Sequence, residues 1–154
     1  MRRIVLAFLL AAVTGTAGAA EWTAAMEEDE GGPIFSAAIR LDGEGYPPAL
    51  RMICNEGSGF LMFDRGDKAE PVGGIDDEAD FVFATEAGET TIHLLYQDMD
   101  GAFAGEFAPT DPLVDYLRKG STLTITDASG RFGAQDFPLT GSSAALGALI
   151  GQCG

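Results

Sequence analysis

Ile34-Phe35-Ser36-Ala37-Ala38-Ile39-Arg40-Leu41, Ala49-Leu50-Arg51-Met52-Ile53-Cys54 and Phe60-Leu61-Met62-Phe63 are the three runs that decide the fold class. The first two mix apolar and polar residues in the way of half-buried strands, and the third is a short apolar run that suits a buried one. Gly43, Gly45, Pro47 and Pro48 form the turn between the first pair, and Gly57-Ser58-Gly59 the turn before the third. Three consecutive antiparallel strands follow from this arrangement.

The pattern continues downstream. Gly73 to Asp80 reads as an acidic turn region. Phe81 to Ala84 and Thr90 to Tyr96 read as two more strands, separated by Glu86-Ala87-Gly88-Glu89. Thr122 to Thr126 and Arg131 to Leu139 make a hairpin around Asp127-Ala128-Ser129-Gly130. Two short helices complete the chain. In the first, over Thr110 to Gly120, Asp111 can cap, Pro112 suits the first helical position, Leu113 and Leu117 share a face, and Lys119 and Gly120 close it. In the second, Ser142 or Ser143 caps Ala144 to Gln152, which delivers Cys153. The expectation is a mainly β domain, an antiparallel sheet or a sandwich, with two short helices, α+β at the margin.

Upstream, Arg2 and Arg3 precede an apolar run from Ile4 to Val13, followed by small residues to Ala20. A basic start, a short apolar stretch and small residues describe a secretory signal, with cleavage after Ala19 or Ala20. The run is about half the ~20 apolar residues a spanning helix needs. The expected division is therefore a signal at 1–20 and one mature domain at 21–154, in the periplasm or secreted. Removing the signal takes away two basic residues and no acid, so the net charge moves from −15 to −17. Nucleic acid and anionic membrane surfaces are disfavoured by that balance. A basic partner, a cation or solubility alone remain open explanations.

Cys54 and Cys153 are the only cysteines. In an oxidising compartment such a pair reads as a disulfide. The pair closes a loop of 99 positions, worth about 4–5 kcal/mol in the chain-entropy picture. A zinc site is implausible with one histidine and no third and fourth ligand nearby.

Few residues carry a pattern specific to chemistry. His93 is the single histidine and sits in a strand-like run, where it reads as facing solvent or a backbone carbonyl. A general base needs a nucleophile and an orienting partner, and no nucleophile elbow is present. Asp98-Met99-Asp100-Gly101 has the look of a calcium loop. In that register, however, Tyr96 would take the first ligand place and Phe107 the twelfth, so a β-turn explains it as well. Asp76, Asp77, Glu78 and Asp80 form a dense acidic patch, either a solvated loop or a docking or cation surface. Carboxylates are so numerous that no chosen pair singles out a hydrolase. No cofactor is expected.

A few positions carry a resemblance. Trp22 opens the mature chain, Leu50-Arg51-Met52-Ile53-Cys54 places a cysteine at a strand end, and Phe137-Pro138-Leu139-Thr140-Gly141 precedes a short helix and Cys153. This resembles the periplasmic accessory proteins associated with type VI secretion. Glu28-Asp29-Glu30 is only a rough substitute for that family's acidic pair with a serine, and its arginine-rich middle is absent. The resemblance implies a periplasmic structural or interaction module with no known reaction. Together these readings lead to a non-enzymatic module that contacts another periplasmic or envelope protein through Gly57–Phe63 and the acidic stretch at Asp76–Asp80. A small-ligand or cation-binding protein using the acidic loops, Asp98 and Asp100 included, is the alternative, and a hydrolase comes third.

Overall fold

A computed structural model describes residues 19–55, 57–66 and 78–153. The signal segment up to residue 18, and Asp76 and Asp77 of the acidic patch, lie outside the described residues. Nine strands form one antiparallel sheet: β1 (Thr23–Asp29), β2 (Gly32–Arg40), β3 (Ala49–Asn55), β4 (Ser58–Asp64), β5 (Glu78–Thr85), β6 (Gly88–Gln97), β7 (Ala102–Phe107), β8 (Thr122–Asp127) and β9 (Gln135–Pro138). Their spatial order is β1-β2-β3-β4-β7-β6-β5-β8-β9. The helices are α1 (Pro112–Lys119) and α2 (Ser142–Ile150). The expected mainly β fold with two short helices is therefore observed.

Alternation along the strands builds the core. Ala37 and Ile39 of β2, Leu50 and Met52 of β3, Leu61 and Phe63 of β4, and Phe81 and Phe83 of β5 all point to one side and are buried. Phe63 meets Phe81 at 5.5 Å and Phe137 at 6.1 Å between ring centroids, both edge-on, so β4 faces β5 and β9 across the interior. The sheet therefore curls on itself. Its two ends meet where Trp22, just before β1, donates its backbone N–H to the Thr140 carbonyl at 2.9 Å and its indole N–H to that of Pro138 at 3.2 Å. Gly141 makes this closure possible: its φ is +81°, and a Cβ there would lie 2.8 Å from the Trp22 carbonyl oxygen.

The helices bridge the curl. They pack on each other, α1 against β5 and β6 and α2 against β1, β2 and β3. The Ser142 hydroxyl, fully buried, donates to the Leu117 carbonyl in the last turn of α1 at 2.7 Å. A disulfide joins Cys54 to Cys153, with Cα atoms 5.1 Å apart, and ties the chain just beyond α2 to the end of β3. Among the described residues no helix is long and apolar enough to cross a membrane.

Several local expectations need correction. Two strands went unforeseen. β1 ends in a run of acids, and β7 (Ala-Phe-Ala-Gly-Glu-Phe) carries a glycine and two alanines, so neither has the β-branched content that marks a strand. Glu78 and Asp80 open β5 instead of lying in a turn. The last strand begins at Gln135, not Arg131. The Asp127 carboxylate accepts the N–H groups of Ser129 (3.1 Å) and Arg131 (2.8 Å), holding that stretch in a loop. Asp111 precedes α1 as expected, but its carboxylate accepts the Ala108 N–H at 2.7 Å rather than a helical one. Gly141, not a serine, precedes α2, and Ser142 is the first helical residue.

Candidate functional site

The outward-facing side of the sheet is polar in most places, as a solvated face should be. The exception lies across β4, β7 and β6. Leu95 pairs with Ala104, which pairs in turn with Met62, and Phe60 pairs with Glu106. Phe60 is 37 % exposed and Leu95 48 %. Beside them a cleft of about 640 Å³ opens. Its origin is a divergence of strands. β6 pairs with β5 along Gly88 to Leu95, yet with β7 only along Leu95 to Gln97. Below that point β7 stays with β4 as far as Phe107, and β6 leaves it.

Two features frame the gap. Gly59 of β4 lies under the Phe107 ring, and a Cβ at Gly59 would stand 2.4 Å from ring atoms, so the aromatic side chain is drawn toward β4. The start of α1 stands at the foot of the gap and contributes Asp111, Pro112 and the buried Leu113 to the lining. Consecutive residues Thr90 to His93 on one side and Ala104 to Glu106 on the other form the walls, so both strands present backbone as well as side chains. The lining carries the carboxylates of Glu106 and Asp111 and no lysine or arginine.

His93 stands between this cleft and a second depression of about 590 Å³ lined also by Glu78, Asp80, Asp127, Ser129 and Arg131. The antiparallel register sets Asp80 directly opposite His93. Nδ1 lies 2.9 Å from Asp80 Oδ1 and Nε2 lies 3.3 Å from Glu78 Oε2. The hydrogen bond to Asp80 is the largest influence on the ring and raises its pKa; burial pulls the other way, and Glu78 adds to the rise. Both nitrogens face carboxylates, so neither is turned to Ser129. That hydroxyl donates instead to Asp127 at 2.8 Å. Burial pushes the Asp127 carboxyl up, but the bonds from Ser129 and the Arg131 N–H and charge outweigh it and hold the group low.

The expected solvent-facing strand position of His93 is thus observed, with carboxylates rather than a carbonyl as its partners. Of the acidic patch, Glu78 and Asp80 come together on this histidine. Asp98 and Asp100 do not join them. They lie exposed on the β6–β7 turn, where the Asp100 and Gly101 N–H groups donate to the Gln97 carbonyl. Among the described residues no group of three His, Cys, Asp or Glu could hold a metal ion. Phe60, within the expected contact segment Gly57–Phe63, does reach the cleft; Leu95, Glu106 and Asp111 were not foreseen there. The signal that could have found Leu95 is its place in Thr91-Ile92-His93-Leu94-Leu95, where alternation puts one of two adjacent leucines outside. No protein-family model, no curated protein and no solved structure matches the chain.

Proposed function

We propose that this protein is an exported, non-enzymatic interaction module of the cell envelope, and that it binds a protein partner through the cleft between β6 and β7. The observation that carries the reading is the cleft itself: an outward opening with Phe60 and Leu95 on its rim, carboxylates in its wall and no lysine or arginine among the described residues of its lining. Exposed apolar residues gathered at a cleft and rimmed by polar groups are a feature of contact surfaces. The chemistry it fits is a projecting apolar side chain flanked by lysine or arginine, and the net charge of −15 draws such a partner in. Export is supported by the Arg2–Ala20 segment and by a disulfide of the kind that persists in oxidising compartments. The likeness of Trp22, Cys54 and Phe137–Gly141 to type VI secretion accessory proteins supports the same reading. In the fold Trp22 is hydrogen-bonded to Pro138 and Thr140 of that last stretch.

The test is a titration of the mature protein with amidated Lys-Phe-Lys, followed by amide chemical shifts. Shifts at Thr90–Leu95 and Ala104–Glu106 are expected, with loss in Phe60→Asp and none with Glu-Phe-Glu. The alternative, cation binding by Glu78 and Asp80, predicts instead that calcium raises the melting temperature. A calcium effect with no peptide shifts would replace the interaction reading.

A further inference from the structure

We propose that the edge of β1, which no strand covers among the described residues, accepts an extended, basic segment of a partner protein, which joins the sheet as a tenth strand. The two ends of the sheet differ in what they offer. β9 has four residues, ends in Pro138 and is met at that end by Trp22. β1 has seven residues, with no proline, glycine, lysine or arginine among them. Proteins usually protect an edge of that length with prolines, charged side chains or a covering element, and the charges β1 carries, at Glu27, Glu28 and Asp29, are all acidic. Beyond Trp22, the backbone of Thr23–Asp29 makes no backbone hydrogen bond other than those to β2 among the described residues.

The side chains point the same way. Ala24 and Met26 face the inner side, opposite Ala37 and Phe35 of β2. The inner positions of β3 and β4 are almost fully buried, as at Leu50, Met52, Leu61 and Phe63, yet Met26 is 59 % exposed beside a half-buried Phe35. The core runs out at this strand, and one more strand would supply the missing neighbour. Glu27, Glu28, Asp29 and Glu30 crowd the same edge. Arg51 pairs with Glu27 at 2.7 Å and is the one cation paired with this acidic run among the described residues. A second copy of the chain would bring the same acids and another −15 of charge. A segment alternating apolar with lysine or arginine residues satisfies both faces: the apolar set covers Ala24 and Met26, and the basic set lies along Glu27 and Asp29 on the other face.

This surface is separate from the β6–β7 cleft, so the two can fail independently. The probe is a capped heptapeptide, Lys-Val-Lys-Phe-Lys-Val-Lys, added to the mature protein while amide hydrogen exchange is followed. Slowed exchange is expected at β1 amides, with binding retained in Phe60→Asp. Met26→Lys, an exposed change the fold tolerates, should weaken binding about tenfold, which corresponds to ~1.4 kcal/mol. Protection at Thr90–Leu95 in place of β1, equal binding of the glutamate version of the peptide, or unchanged binding by Met26→Lys would each overturn the proposal. So would self-association of the protein alone that Met26→Lys abolishes, since a second copy would then be the occupant.

Discussion

Around Phe81, three phenylalanine rings converge: Phe63 at 5.5 Å, Phe103 at 4.9 Å and Phe132 at 6.1 Å. The guanidinium of Arg65 lies 4.0 Å from the centre of the Phe132 ring, giving the cluster a charged lid. At the other end of the same inner surface, Met26 stands opposite Phe35 and is largely exposed. The first region is held by ring packing between strands distant in sequence. The second, where β1 to β3 carry α2, relies on devices: the Trp22 closure, the Ser142 hydroxyl and the Cys54–Cys153 bond. A thin layer of apolar contact needs point attachments, whereas a deep one does not.

That contrast can be broken most sharply at Phe81. Phe81→Ala should cost about 3–5 kcal/mol, because a fully buried ring leaves a cavity bounded by three others. Denaturant unfolding measures it. A cost below that of removing the disulfide would show that the attachments, not the rings, dominate.

Replacing Cys54 and Cys153 together by Ser should cost about 2–4 kcal/mol. Because Ala145, Leu146 and Leu149 of α2 are buried, the helix should remain folded, and faster hydrogen exchange should be confined to the residues after Ile150. Exchange across all of α2 would mean that the bond alone holds the helix.

A smaller effect is expected from Ser142→Ala. It leaves the Leu117 carbonyl without its hydroxyl donor in a buried place and should cost about 1–3 kcal/mol. Ser142→Thr should recover part of the loss if the methyl group fits. Equal stability of Ser142→Ala and the parent would remove this contact from the list of attachments.

The smallest effect concerns pH. The pKa of His93 is raised in the fold, so its contribution is present below its unfolded value of ~6.5 and is lost as pH rises through the folded value. The melting temperature should fall slightly over that interval, and His93→Gln should flatten the profile. Asp127 behaves oppositely: its folded pKa is lowered, so its contribution is present above ~3.9 and lost as pH falls through the folded value. A His93 ring titrating at or below its ordinary value in proton NMR would contradict the Asp80 and Glu78 contacts.

Much of the strand content was legible because alternation is a local signal. Ile34–Leu41, Ala49–Cys54 and Phe60–Phe63 announce themselves by their own residues, and a lone cysteine pair leaves one possible bond. β1 and β7 were not legible. A strand that gains its stability from neighbours need not carry β-branched residues, and β7 lies between β4 and β6, two strands that are far from each other in sequence. The cleft was hidden for the same reason, because it exists only where β6 and β7 part company.

The chain's own chemistry therefore determined the acidic charge, the alternation that makes strands, the turn positions and the cysteine pair, each of which depends on residues close together or on a simple count. Tertiary structure alone decided the strand order, the closure of Trp22 on Thr140, the placing of Asp80 and Glu78 on His93, and the exposure of Met26. Those depend on register between strands, and register is settled by the best burial of the whole inner face rather than by any one segment.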